Sequence, residues 1–163
     1  MTRPDIEAPH LRLVLESVES ALARIEALPV ADRAQVSPVW LARLRTLSES
    51  DPWTCGFLAT LRDGATAVGS CGFKHPPTDE GVVEIAYGVS PEYQGRGFAT
   101  EMAEGLTTFA FADPRVRLVI AHTLPEANAS SRVLSKCGFT RTGDVIDPED
   151  GLVWRWERIR QVF

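Results

Sequence analysis

Apolar positions recur along this chain with two different periods, and the switch between them divides it. Leu11 to Leu15 reads as a first strand, after which Val18, Leu22 and Ile25 recur at helical spacing until Pro29 ends the segment. Ser37 followed by Pro38 is an N-cap and first-turn pair, and Trp40, Leu44 and Leu47 supply a second helical stripe. Two helices are therefore expected before the main sheet. From Phe57 the period changes: Phe57, Ala59 and Leu61 alternate up to the hairpin turn Asp63–Gly64, and a second strand runs from about Ala65 to Phe73. Pro76 to Gly81 forms a loop, and Val82 to Val89 is apolar enough to be a central strand. Phe98, Met102, Leu106 and Phe109 mark the core face of a helix that stops at Asp113–Pro114. Val116 to Thr123 is a strand, and Ala129, Val133 and Cys137 mark a shorter helix closed by Gly138. Two strands around the turn at 147–151 finish the chain, with Leu152, Trp154 and Trp156 on one face of the last. The order predicts a mixed α/β sandwich in one domain, residues 1–163.

Composition narrows the function classes. With 44% hydrophobic and 24% charged residues the chain has an ordinary globular make-up. No apolar run is long enough to cross a bilayer, and Met1 to His10 carries Pro4 and Asp5 without an apolar stretch, so neither a membrane partner nor a signal peptide is expected. The expected location is the cytoplasm. The three cysteines, Cys55, Cys71 and Cys137, have no paired spacing and read as reduced thiols, and no metal-ligand pattern is present. The formal net charge is −5 with no basic stripe, which argues against nucleic acid and favours a cationic small partner such as an amine. Whether the chain is a monomer or a homodimer is not legible.

The stretch from 82 to 112 carries the chemistry. A strand ends at Val89–Ser90–Pro91 and the chain enters a helix across Gln94–Gly95–Arg96–Gly97–Phe98–Ala99. The first amides of a helix lack intrahelical acceptors and the helix dipole makes that end partly positive. Two glycines remove Cβ atoms that would hold a diphosphate away, and Arg96 adds a cation; together these make an anion cradle. The plainer alternative is that Gly95 and Gly97 only permit a tight turn. A dinucleotide fingerprint fails at Thr100, and no Gly-Lys-Ser/Thr, HExxH or GxSxG motif is present.

The segment Gln94–x–x–Gly97–x–Ala99 resembles the Q/R-x-x-G-x-G/A acetyl-CoA signature of the GNAT superfamily of N-acetyltransferases. The wider run Glu84 to Glu101, and a second block Asn128 to Phe139, are similar to the branch that acetylates the N-terminal amines of ribosomal proteins. The resemblance implies a three-layer sandwich around a mostly antiparallel sheet of about six or seven strands with about four helices. It implies acetyl-CoA as donor, with its pantetheine arm on the open strand edge at Tyr87, Gly88 and Val89 and its diphosphate on the amides of Gln94 to Ala99. Asn128 is expected near the pantetheine or diphosphate, with a helix N-cap as an equal and compatible reading. Arg132 and Lys136, one helical turn apart, are candidates for the adenosine 3′-phosphate, or are simply solvated.

Acyl transfer to an amine needs a neutral nitrogen. An α-amine with a pKa of about 8 is roughly a tenth deprotonated at neutral pH, whereas a lysine near ~10.4 costs about 4–5 kcal/mol to deprotonate. Glu84 is the candidate base and Glu101 a second; the alternatives are a solvated strand charge and a helix-terminal charge. Many family members carry a tyrosine four residues before the glycine of the second block to protonate the leaving thiolate; here that position is Leu134. Ser131 is the alternative acid that the ribosomal-protein branch suggests, against a back-bonded structural serine. Cys137 reads as the last core position of its helix, and His122 as a possible wall of the acceptor pocket. That pocket is expected between the N-terminal helices, the loop from Lys74 to Gly81 and the final hairpin. The acceptor is a protein N-terminal amine or a small amine; the rival readings are a non-catalytic acyl-CoA-binding module and a transferase for a longer acyl-CoA.

Overall fold

The computed structural model describes residues 5–148 and 150–161. Eight strands form one sheet: β1 (Ile6–Glu7), β2 (Leu11–Leu15), β3 (Phe57–Leu61), β4 (Ala67–Phe73), β5 (Val82–Val89), β6 (Leu118–Thr123), β7 (Thr140–Asp147) and β8 (Gly151–Ile159). Their spatial order is β1-β2-β3-β4-β5-β6-β8-β7, antiparallel throughout except for the parallel pair β5–β6. The helices are α1 (Val18–Glu26), α2 (Val30–Arg33), α3 (Pro38–Arg45), α4 (Phe98–Ala112) and α5 (Ala129–Lys136).

Two elements exceed the sequence expectation of about six or seven strands and four helices. The strand β1 is only two residues long, and α2 has four residues, none of them buried. Elements this short have no room to display an apolar period. The other bounds agree closely, with β5 spanning Val82–Val89 and α4 stopping at Ala112, while β4 and β6 each start two residues late. The delay in β4 has a local cause: Asp63 Oδ1 accepts from the amides of Ala65 and Thr66, which holds both in the turn. The turn at 147–151 joins β7 to β8 with the Asp150 amide donating to Asp147 Oδ1; Glu149 within it lies outside the described residues.

Alternation on β2 and β3 buries Leu11, Leu13, Leu15, Phe57 and Ala59, each at most 2% exposed. Each of the larger side chains contributes roughly 1.5–3 kcal/mol by leaving water. Helix α4 lies across this layer, burying Phe98, Met102, Ala103, Leu106 and Ala110, while Phe109 joins the rings of Trp53, Phe57 and Phe73. On α5 and its C-cap the buried positions are Ser131, Leu134 and Cys137; of the expected stripe Cys137 is buried and Val133 partly so, while Ala129 is exposed and a serine takes an inward position.

The relationship that positions the site is a split in the sheet. Strand β5 pairs with β4 along Ile85–Val89, but with β6 only at Val82, Val83 and Glu84. Beyond Glu84 the two parallel strands part, and the β6-facing edge of Ala86 to Val89 has no strand beside it. The chain then turns directly into α4.

Candidate active site

The turn after β5 begins with a short 3-10 helix at Pro91–Tyr93. Gln94 Nε2 donates to the Val89 carbonyl at 3.0 Å and so ties the turn back to the strand end. Gly95 and Gly97 have φ of +78° and +84°, a left-handed conformation that costs other residues energy. An added Cβ at either would meet nothing within 4 Å, so open space lies above both. Gly97 is the N-cap of α4 and brings no side-chain acceptor to its first turn. Glu101, the acid in that turn, does not fill the gap. Its carboxylate faces the other way, accepting from the His10 amide at 2.8 Å and meeting the His10 ring at 2.7 Å, so it is placed neither as a base nor as a cap.

A cavity of about 450 Å³ opens over this turn. It is walled by Tyr87, Gly88 and Val89 of the free β5 edge, by Gln94, Gly95, Gly97, Phe98 and Ala99 of the turn, and by Arg132, Val133 and Lys136 of α5. The expected cofactor-binding positions are among them, with two exceptions, Arg96 and Asn128. Arg96 lies outside the wall, its guanidinium over the Tyr93 ring at 5.5 Å and near the Glu92 carbonyl. Asn128 caps α5, its Oδ1 accepting from the Ser131 amide at 3.0 Å. Ser131 completes the reciprocal box, its hydroxyl accepting from the Asn128 amide and donating to the Asn128 carbonyl, both at 2.9 Å. Leu134, in the place of the family's tyrosine, is fully buried in the core.

A second cavity, of about 520 Å³, lies on the other side of Tyr87 and Gly88, which wall both. It is bounded by Arg24 of α1, by residues 35–37 and α3, by β4 from Ser70 to Phe73, and by Lys74 and Asp150, the region where the sequence reading expects the acceptor. The Tyr87 hydroxyl donates to the Ser130 carbonyl at 3.4 Å, and burial pushes its pKa up to about 12. The phenol therefore stays protonated at any working pH.

Glu84 is buried just where the strands part, and its Oε2 receives Lys74 Nζ and His122 Nδ1, each at 2.9 Å. His122 lines neither cavity, contrary to expectation; its Nε2 is buried with no hydrogen-bond partner among the described residues. Glu84 reaches the second cavity through Lys74. Burial pushes the Lys74 pKa down, but the charge and hydrogen bond of Glu84 outweigh it and hold the ammonium above the ordinary lysine value. All three cysteines are buried, and burial raises Cys71 and Cys137 to about 12. No group of three or more His, Cys, Asp or Glu among the described residues is arranged to hold a metal ion, and no described helix is long and apolar enough to cross a membrane.

A split between parallel strands that leads into a glycine-rich helix N-terminus coincides with the family pattern, and residues 8–140 match the Acetyltransferase (GNAT) domain. The chain belongs to the GNAT acetyltransferase family. This GNAT chain is 32% identical over 87 residues to the "Uncharacterized N-acetyltransferase YnaD" of Bacillus subtilis, covering 53% of this chain and 51% of that protein. The matches span about half the length of the curated relatives. Among solved structures, the ribosomal-protein-S5-alanine acetyltransferase from Vibrio fischeri superposes with a TM-score of 0.70 at 15% identity, over 96% of this chain and 97% of that one. The aminoglycoside acetyltransferase AAC(6')-Ib with ribostamycin and coenzyme A gives 0.68 at 20% identity, over 93% and 94%. At these identities the structures establish the shared GNAT fold.

Sequence reasoning missed two features of the site. Tyr87, valued only for its backbone, forms part of both walls, and Arg43 reaches the second cavity from α3. For Tyr87 the signal was present: an aromatic at the free end of a central strand must project beside the split. Arg43 carries no such signal.

Proposed function

We propose that this chain is an N-acetyltransferase that moves an acetyl group from acetyl-CoA to a primary amine by direct attack, without a covalent enzyme intermediate. One observation carries the reading: the free β5 edge at Tyr87–Gly88 joins two cavities, one over a helix N-terminus and one over the acceptor region. In this reading the unpaired main chain of Tyr87 to Val89 takes the pantetheine arm. The amides at the start of α4, with Gly95 and Gly97 leaving room, take the diphosphate. Arg132 and Lys136, in the same wall, suit the remaining phosphate. Residues 1–163 work as one domain in this account.

The amine enters from the cavity beside α3 and loses its proton to Glu84, which Lys74 and His122 hold at the parting of the strands. The departing sulfur needs stabilisation. Ser131 was expected there, but its hydroxyl is committed to the capping box, so the Tyr87 phenol takes that part. A phenol held near 12 does not surrender its proton to a thiolate of ordinary pKa; it stabilises the sulfur by a hydrogen bond. The acceptor is a protein N-terminal amine or a small amine, the first favoured by the motif resemblance to the ribosomal-protein branch.

The buried Leu134 favours one rival, a non-catalytic acyl-CoA-binding module. Thiol release from acetyl-CoA in the presence of a panel of amines and N-terminal peptides decides between them. Amine-dependent release supports the transferase; binding of acetyl-CoA without release across the panel supports the module. Faster release from succinyl-CoA than from acetyl-CoA would instead assign a longer donor.

A further inference from the structure

Three arginine or lysine side chains line the acceptor cavity, Arg24, Arg43 and Lys74, beside His75, whose Nδ1 meets the Pro76 carbonyl at 2.8 Å. Two are neutralised in place. Arg24 is held by Glu16 through Nη2 at 2.7 Å and Nε at 3.0 Å, and Lys74 by Glu84 at 2.9 Å. Arg43 differs. Its one bond is from Nη1 to the Lys74 carbonyl at 3.2 Å, and among the described residues no carboxylate pairs with it. It is partly exposed on α3. A guanidinium cannot shed its charge, and its planar fork of donors matches a carboxylate in two parallel bonds. Among the described residues the only carboxylate in the cavity wall is Asp150, which belongs to the β7–β8 turn and acts on Lys74.

We propose that the acceptor is an amine that also carries a carboxylate, and that Arg43 is the residue that selects it. This rests on the transferase reading above and adds the substrate class. The net charge of −5 draws cations at long range, but the cavity holds one unmatched cation in its wall. A ligand carboxylate completes Arg43 while its amine reaches the β5 edge at Gly88. A polycation has no such partner and meets Arg24 and Lys74 with their carboxylates already taken. Two sources supply the chemistry: a free amino acid, with its own α-carboxylate, and the N-terminus of a peptide with an acidic residue close behind.

The test is acetyl-CoA turnover with matched pairs. One arm compares leucine with leucinamide. The other compares an alanyl-glutamate peptide amide with its glutamine counterpart. Ribostamycin serves as the polycation. Wild-type protein is expected to prefer the acid of at least one pair by about 10–100-fold in kcat/KM, mainly through KM. The arm that shows the preference identifies the source. Arg43→Gln is expected to bring that ratio close to one, and Arg43→Lys to restore part of it. Coenzyme A calorimetry on each variant shows that it is folded. Equal turnover of acid and amide in both arms, an unchanged ratio in Arg43→Gln, or preference for ribostamycin overturns the inference while leaving the transferase reading intact. Failure to bind acetyl-CoA overturns that reading, and this one with it.

Discussion

Lys74 Nζ stands 2.9 Å from Glu84 Oε2 and thereby links a buried carboxylate on the central strand to the wall of the acceptor cavity. The same oxygen accepts from His122 Nδ1, so the carboxylate is fixed from the loop after β4 and from β6 at once. The backbone repeats the link, the Lys74 amide donating to the Glu84 carbonyl at 2.9 Å. Since Glu84 is the last residue of β5 paired to β6, these contacts hold it where the free edge begins. A proton acceptor that is meant to meet an amine beside that edge needs such support, because catalytic groups lose efficiency with small displacements.

Glu84→Gln keeps the shape and removes the base. It is expected to lower kcat/KM by about 10²–10³-fold at neutral pH. Below an amine pKa of about 8 the neutral fraction rises tenfold per pH unit, so the deficit shrinks as the pH climbs towards that value. The check is a pH–rate profile for both proteins. A variant profile that parallels the wild type from end to end removes Glu84 from the mechanism.

The fold was largely legible because the elements that matter are long and strongly patterned. Val82 to Val89 is apolar nearly throughout, and it is the strand buried between two neighbours. The glycine turn was legible too, since Gly95 and Gly97 stand at the helix start with positive φ, as both the tight-turn and the anion-cradle readings require. What escaped the sequence was side-chain direction. Nothing in the spelling of Glu101 says that it turns to His10, or that Arg96 lies over Tyr93 and away from the cavity. Ser131 was ambiguous for the same reason: a capping serine and a catalytic serine are the same letter at the same position.

Gly97→Ala tests the backbone of the cradle. With φ at +84° and no atom near the new Cβ, the cost is conformational and not steric. A loss of about 1–2 kcal/mol in folding stability is expected by urea denaturation. The methyl also occupies space above the turn, so coenzyme A affinity is expected to fall by about tenfold or more by calorimetry. Unchanged affinity would mean that the diphosphate does not approach this turn.

Tyr87→Phe deletes one hydroxyl whose only bond among the described residues is a long one to Ser130. Stability is expected to change by less than about 1 kcal/mol. Turnover is expected to fall by about 10–100-fold in kcat, with KM for acetyl-CoA changed little. A rise in KM with kcat intact would assign the phenol to binding and not to the departing sulfur.

The cysteines give a check on burial. Cys71 faces the acceptor cavity, yet burial lifts its pKa to about 12, and the same cause, aided by Glu104, lifts Cys137 to about 12. Only the thiolate alkylates, and at pH 8 a thiol of pKa 12 is ionised in about one molecule in ten thousand. The native protein is expected to resist iodoacetamide at Cys71 and Cys137 by mass spectrometry, and the urea-unfolded chain to react at both. Rapid native labelling of Cys71 would show that the cavity floor opens further than the structure describes.

Titration of coenzyme A into the folded protein, followed by calorimetry, tests the central claim most directly. The free edge at Tyr87–Val89 and the glycine-lined helix start predict saturable binding of one coenzyme A per chain, with a dissociation constant in the range of about 1 μM to 1 mM typical of enzyme substrates. No heat of binding from either coenzyme A or acetyl-CoA, with the protein shown to be folded, would contradict it.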